Sequence, residues 1–116
     1  MNLYRVIKRE TWQVAQQSGI VPRCGNDNKA DGVHLNLPEA VEHIAALYFT
    51  PEEDPVVLEV DTCRFESQIE WQEATADQPW LKPLAKIANL EVASVARVHE
   101  LEHHVVDGVR RYRFGA

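Results

Sequence analysis

The stretch DGVHLNLPEAVEHIAALYF, residues 31–49, holds the clearest local signals of the chain. It begins with Asp31-Gly32, a pair typical of turns, and an extended piece over residues 33–35 follows. Beyond it, apolar residues recur at the 3.6-residue spacing of one helix face. They are Leu37, Val41, Ile44, Ala45 and Tyr48. The stretch therefore predicts a turn, a short strand and then a helix over residues 37–49.

The start of this helix has its own signature. Asn36 and Glu39 have the spacing of a capping box, in which each side chain binds a backbone amide at the helix start. Pro38 has no amide hydrogen, and the first helical turn needs none at that position. We therefore expect Asn36 to cap the helix.

The other predicted elements are shorter. Trp12 and Ala15 lie at helical spacing in a second predicted helix, residues 9–18, and Gly19 suits its end. Asp107-Gly108 between β-branched residues predicts a hairpin. Apolar or alternating segments predict strands over residues 3–7, 56–60, 69–73 and 95–99, and turn-rich composition predicts loops over residues 20–30 and 74–83.

These elements predict one α+β domain over residues 1–116. We expect a small, mostly antiparallel or mixed split β-sheet of about six short strands, because β–α–β alternations are few. Both helices belong to the N-terminal half of the chain.

Composition narrows the class of function. The chain has 116 residues, of which 45% are hydrophobic, and its net charge is −6. Nucleic acid is an improbable partner because such binding needs a basic surplus, and the basic cluster at residues 110–113 suits an edge strand equally well. The longest apolar run, residues 44–49, is too short to cross a membrane. Two isolated cysteines and no signal peptide predict a cytoplasmic protein.

His34 is the most promising residue for chemistry. It lies between the Asp31-Gly32 turn and a helix start, whose free amides and positive dipole suit a phosphate or a ribose hydroxyl. A neutral imidazole there could bind a ligand or transfer a proton. We expect it to be partly accessible, at the edge of a concave pocket. A structural histidine that ties the loop to the sheet is the alternative.

Two other groups of residues are candidates for chemistry. His99, His103 and His104 could suggest a metal, but their region is predicted to be strand and no carboxylate or cysteine stands at ligand spacing. A solvated hairpin is the preferred interpretation, and no metal is predicted. Cys24 and Cys63 would need a nearby base to act as nucleophiles, so idle thiols are favoured.

The order of several motifs resembles a family of small bacterial proteins, the domain-of-unknown-function family 952. Its motif DGFIHLS is similar to DGVHLN here, with one apolar residue fewer before His34. Its central strand and its Leu-Arg-Trp-Glu segment also have counterparts. The matching segments, in chain order, are residues 3–7, Trp12 with Gly19, and residues 31–36, 56–61 and 69–73. The resemblance covers about residues 1–101 and leaves residues 102–116 as a C-terminal hairpin extension.

This resemblance implies an ADP-ribosyltransferase-like fold that holds NAD, as substrate, in a cleft between two small sheets. His34 and Asn36 would then bind the ribose, and Tyr48 or Trp71 would pack against the nicotinamide. Glu73 would stabilise the oxocarbenium-like sugar that forms when nicotinamide departs. The catalytic roles would therefore belong to His34 and Glu73.

Two positions depart from the family pattern. Gln72 stands where the family has glutamate, and Glu73 would face the other side of a strand unless a bulge turned it. Trp80 replaces a second histidine and cannot accept a proton. We therefore predict an NAD- or nucleotide-binding protein with a degenerate active site, or a non-catalytic binding or interaction module. A filled cleft, or Glu73 on an outer face, would favour the second.

Overall fold

A computed structural model describes residues 1–115, apart from the side chain of Arg110. Ala116, the last residue of the predicted extension, lies outside the described residues. The strands are β1 (Asn2–Lys8), β2 (Ile20–Val21), β3 (Val33–His34), β4 (Pro55–Asp61), β5 (Ile69–Gln72), β6 (Lys82–Ala85), β7 (Leu90–Glu91), β8 (Val95–Glu100), β9 (Glu102–Val106) and β10 (Val109–Arg113). The helices are α1 (Arg9–Ser18), α2 (Gly25–Ala30) and α3 (Val41–Tyr48), with short 3₁₀ turns at Pro38–Ala40, Pro51–Glu53, Glu66–Gln68 and Val92–Ser94.

The strands form two three-stranded sheets and two smaller ones. The central sheet has the order β1-β4-β8, and the second sheet has the order β3-β6-β5. The small sheets are β2 with β7 and β9 with β10. Among the described residues every strand pairing is antiparallel. The predicted α+β class is therefore confirmed, although the strands are more numerous than expected.

The two faces of the central sheet build separate hydrophobic cores, because successive side chains of a strand point to opposite faces. One face packs against the second sheet, through Leu3, Leu58, Val60, Val33 and Ala85. The other face packs against α3 and β10, through Val6, Val57, Val41, Ala45 and Tyr112. The second sheet and α3 therefore lie on opposite sides of the central sheet. No helix in the described part of the chain is long and apolar enough to cross a membrane.

Two predicted chain reversals are confirmed in detail. Helix α1 ends at Gly19, whose φ is 84° and whose amide donates to the carbonyl of Ala15 at 2.7 Å. Asp107 and Gly108 have φ values of 52° and 76°, and they turn β9 into β10. Both residues of a two-residue hairpin turn need positive φ, which Asp-Gly supplies at little steric cost.

The predicted loop over residues 20–30 is wrong, since it contains β2 and α2. The carboxylate of Asp27 accepts a hydrogen bond from the amide of Cys24 at 3.0 Å, which closes the first turn of α2. A helix of six residues is too short to show a repeat of apolar residues, and this one is rich in Asn and Gly. Its composition is therefore that of a loop, and it predicts no helix there.

The predicted helix cap at Asn36 is also wrong. Leu37 is the residue before the first helical turn, and no side chain caps that turn. Asn36 instead pairs with Tyr4 of β1: its amide donates to the carbonyl of Tyr4 at 2.7 Å, and the amide of Tyr4 donates back at 2.9 Å. Pairing with β1 outweighs the local capping signal. Pro38 does occupy the first turn, as predicted.

The boundaries around the second sheet differ from the prediction as well. Strand β5 ends at Gln72, so Glu73 lies beyond it. Strand β6 begins at Lys82, which shortens the predicted loop over residues 74–83.

Candidate functional site

Strand β3 has one edge that pairs with β6 and one edge that faces β1. On the first edge, the amide of Leu35 donates to the carbonyl of Pro83 at 3.1 Å. On the second, the amide of His34 donates to Asp27 Oδ1 at 3.0 Å, and its carbonyl accepts from Arg5 Nη1 at 2.8 Å. The ion pair of Arg5 and Asp27 therefore fills the gap between β1 and β3.

Asp27 is the centre of this network. Its side chain is fully buried, and Arg5 Nη2 donates to its Oδ2 at 2.6 Å. Burial alone would raise the pKa of this carboxyl, but hydrogen bonds from His34 and Arg5 and the charge of Arg5 outweigh burial. The pKa of Asp27 is therefore held well below its usual range, and the carboxylate is ionised at neutral pH.

The carboxylate orients the imidazole of His34. Nδ1 lies 2.8 Å from Asp27 Oδ1, and because an ionised carboxylate can only accept, Nδ1 must carry the proton. In the neutral ring Nε2 is then an acceptor, and it has no hydrogen-bond partner among residues 1–115. Since 38% of the side chain is exposed, Nε2 can accept a hydrogen bond or a proton from a ligand hydroxyl.

The side chain of His34 is partly exposed beside Leu84, its buried partner on β6. One surface groove, of about 400 Å³, lies beside Arg9 and Asp54, and another, of about 550 Å³, lies between α3 and β10. His34 lines neither of them. A ligand that contacts Nε2 must therefore approach through the exposed part of the His34 side chain.

Strand register decides which side chains share that face. His34 pairs with Leu84 of β6, and Leu84 pairs with Glu70 of β5. Directly opposite side chains project from the same face, so Glu70 is on the face of His34. Trp71 pairs with Pro83, one position along, and projects from the opposite face.

The remaining predicted site residues are dispersed. Glu73 is exposed and follows the end of β5, whose register with β6 contains no bulge. Tyr48 is 56% exposed on α3, across the central sheet from β3. Asn36 lies two residues from His34, and its Nδ2 donates to the carbonyl of Tyr4 at 3.3 Å. The structure therefore keeps Asn36 near His34 but does not gather the other predicted residues around the imidazole.

Sequence reasoning missed Arg5 and Asp27. Arg5 stands between Leu3 and Ile7 in a row of buried side chains, and a charged residue in an apolar row indicates a buried partner. That signal was present in the sequence. Asp27 gave none, because it lies in a segment with the composition of a loop.

The other candidate clusters are separated in the fold. His99 Nε2 lies 2.6 Å from Glu59 Oε1, whereas His103 and His104 are exposed on β9. Within the described range, no three His, Cys, Asp or Glu side chains are arranged to hold a metal ion.

The two cysteines are exposed free thiols. Asp61 lies next to Cys63 in space, since its Oδ1 accepts a hydrogen bond from the Cys63 amide at 3.0 Å. A hydrogen bond to this carboxylate and its negative charge raise the pKa of the Cys63 thiol, which lowers its thiolate fraction.

The fold and the site together define a small antiparallel α+β protein with a carboxylate-oriented histidine on a sheet face. The sequence matches a family described as "Protein of unknown function (DUF952)" over residues 6–98. This match spans most of the chain, and the chain belongs to that family. The family resemblance is confirmed, and the hairpin of β9 and β10 lies outside the matched range.

Solved structures share the fold. The X-ray crystal structure of protein CC0527 from Caulobacter crescentus is similar with a TM-score of 0.76 and 23% sequence identity, covering 95% of this chain and 93% of that chain. The solution NMR structure of CC0527 has a TM-score of 0.69 and 28% sequence identity, covering 93% of this chain and 90% of that chain. No curated protein matches the chain. None of these comparisons supports the ADP-ribosyltransferase-like form, which stays a prediction.

Proposed function

We propose that this protein binds the ribose of a nucleotide such as NAD at His34 and transfers ADP-ribose poorly or not at all. The observation that carries the proposal is the 2.8 Å contact between His34 Nδ1 and the buried carboxylate of Asp27. That contact leaves Nε2 as an acceptor on a partly exposed side chain, and a ribose hydroxyl is a suitable donor. Asn36, two residues away, donates its Nδ2 to the carbonyl of Tyr4, so its Oδ1 is the side-chain group that it offers to the same sugar.

The weak transfer activity is inferred from the positions of the carboxylates. Glu73 is exposed beyond the end of β5, and the neighbouring Gln72 is neutral. Glu70 is on the face of His34 but two strands away, about 10 Å, so a positive charge on a sugar at His34 has no adjacent counter-charge. Loss of one well-placed electrostatic group typically costs about 10²–10³ in rate.

Calorimetry with millimolar NAD tests the binding, using the wild type, His34→Ala and His99→Ala. His99→Ala is the matched control, because His99 is also a carboxylate-paired histidine but lies on another sheet. We expect His34→Ala to weaken binding about tenfold or more, the loss of a hydrogen bond of about 1.5 kcal/mol. His99→Ala should bind NAD as the wild type does, with folding of both variants checked by circular dichroism.

Two results would contradict the proposal. If the wild type gives no heat, or if His34→Ala gives the same heat as the wild type, His34 is not in the ligand site. Rapid release of nicotinamide that disappears in Glu73→Gln would instead establish transfer.

A non-catalytic interaction module is the second candidate. The filled gap between β1 and β3 favours it, because the ion pair of Arg5 and Asp27 occupies space that a cleft would leave open. A wild type that binds neither NAD nor its fragments, yet folds cooperatively, would support this candidate over the first.

A further inference from the structure

The face of the second sheet that carries His34 also carries polar side chains in register with it, around the buried Leu84. Lys82 of β6 pairs with Gln72 of β5, one row away from the pair of Leu84 and Glu70. Residues two apart along a strand share a face, so Lys82 and Gln72 project from the face that carries His34. This face therefore combines an imidazole, an ammonium, an amide and a carboxylate.

Lys82 is the cation of this face that is available to a ligand. Its residue is half-buried, and within residues 1–115 its ammonium makes no ion pair or hydrogen bond. Lys86 follows the last residue of β6. Its ammonium is not available to a ligand, because its Nζ donates to the carbonyl of Ala30 at 3.0 Å. Glu70, on the same face, does not pair with Lys82 either.

The spacing between Lys82 and His34 suits a sugar phosphate. Lys82 is the diagonal neighbour of His34 on the adjacent strand, and diagonal neighbours lie roughly 7–8 Å apart. A lysine side chain can cover most of that distance. In a nucleotide the 5′-phosphate is separated from the ribose hydroxyls by the width of the sugar, so one ligand could contact both residues.

We propose that Lys82 binds the phosphate of a ribose 5′-phosphate ligand whose hydroxyls contact His34. The ligand lies over the polar side chains that surround the buried Leu84, with its phosphate toward Lys82 and away from Glu70, which is negative like the phosphate. This inference rests on the proposed function, because it takes the ribose at His34 as its starting point.

Nicotinamide mononucleotide and nicotinamide riboside test the inference, because they differ only by one phosphate. By calorimetry at low salt we expect the mononucleotide to bind the wild type about tenfold more tightly, in line with a charge-assisted hydrogen bond. Lys82→Gln should remove this difference and leave the riboside affinity unchanged. Arg111→Gln is the matched control, since it changes the net charge equally but lies on β10.

The outcomes separate this inference from the proposed function. If the riboside binds but the mononucleotide binds no more tightly, or if the difference survives Lys82→Gln, the role of Lys82 is overturned while ribose binding at His34 stands. Inorganic pyrophosphate that binds only when Lys82 is present, with no riboside binding, would uphold the phosphate site and overturn the ribose site. If none of the three probes binds, both are overturned.

Discussion

Two carboxylate–imidazole pairs lie on different sheets of this domain, and they use the same chemical groups differently. His34 Nδ1 lies 2.8 Å from Asp27, and His99 Nε2 lies 2.6 Å from Glu59. The side chain of Asp27 is fully buried with the cation Arg5, whereas 15% of the Glu59 side chain is exposed. The first carboxylate is therefore held in a dry environment, and the second is partly hydrated.

The surroundings of the two rings differ as well. The His99 side chain is 20% exposed and its ring packs against Phe114 and Tyr4, with ring centroids 5.5 Å and 6.4 Å away. His34 has no aromatic neighbour among the described residues, and 38% of its side chain is exposed. The comparison teaches that pairing with a carboxylate does not by itself make a histidine available to a ligand. Availability depends on how much of the imidazole stays exposed once it is paired.

The largest effect is expected from Asp27→Asn, a neutral variant of similar shape. The substitution leaves the guanidinium of Arg5 buried without a counter-charge. It also places an NH₂ group where the carboxylate of Asp27 now accepts hydrogen bonds. We therefore expect a loss of about 3–5 kcal/mol in the free energy of unfolding. Urea denaturation at pH 7, followed by circular dichroism, measures this loss. A change below about 1 kcal/mol, the net value of an ordinary hydrogen bond, would show that burial of the pair contributes little.

The ion pair of Arg5 and Asp27 should also make the free energy of unfolding depend on pH in acid, and this effect is smaller. Because the folded pKa of Asp27 is lowered, its ionised form stabilises the fold above the unfolded-chain pKa of about 4. Below that pH the unfolded chain takes up a proton that the folded protein does not, and stability is lost. The difference in unfolding free energy between the wild type and Asp27→Asn should be constant near neutral pH and narrow progressively below about pH 4. A difference that stays constant at pH 3 would contradict the lowered pKa.

The smallest effect is expected from Glu59→Gln, the matched variant in the second pair. Glu59 is partly solvated, no buried cation depends on it, and His99 can change its tautomer to suit an amide. We expect a loss of about 1 kcal/mol in the free energy of unfolding under the same conditions. If this loss equalled that of Asp27→Asn, the buried cation would not explain the difference between the pairs.

Local signals predicted much of the fold. Helix α1 with its Gly19 end, the hairpin turn at Asp107-Gly108 and the apolar strand β4 agree with the structure. One error falls where distant parts of the chain meet, because Asn36 is taken by β1 instead of capping a helix. The other error is local, because α2, which replaces the predicted loop around Asp27, is too short to show an apolar period.

The residues of the candidate site also divide into those that the sequence indicated and those that only the tertiary structure revealed. The sequence by itself singled out His34 as a candidate, because a turn, a strand and a helix start within a few residues are local features, and the family resemblance added Asn36. The tertiary structure decided their surroundings: Arg5 and Asp27 are 22 residues apart, and their charges tolerate burial only because the fold places them together. It also decided that Trp71 and His34 project from opposite faces, since strand register depends on pairing across the sheet and not on the order of residues along one strand.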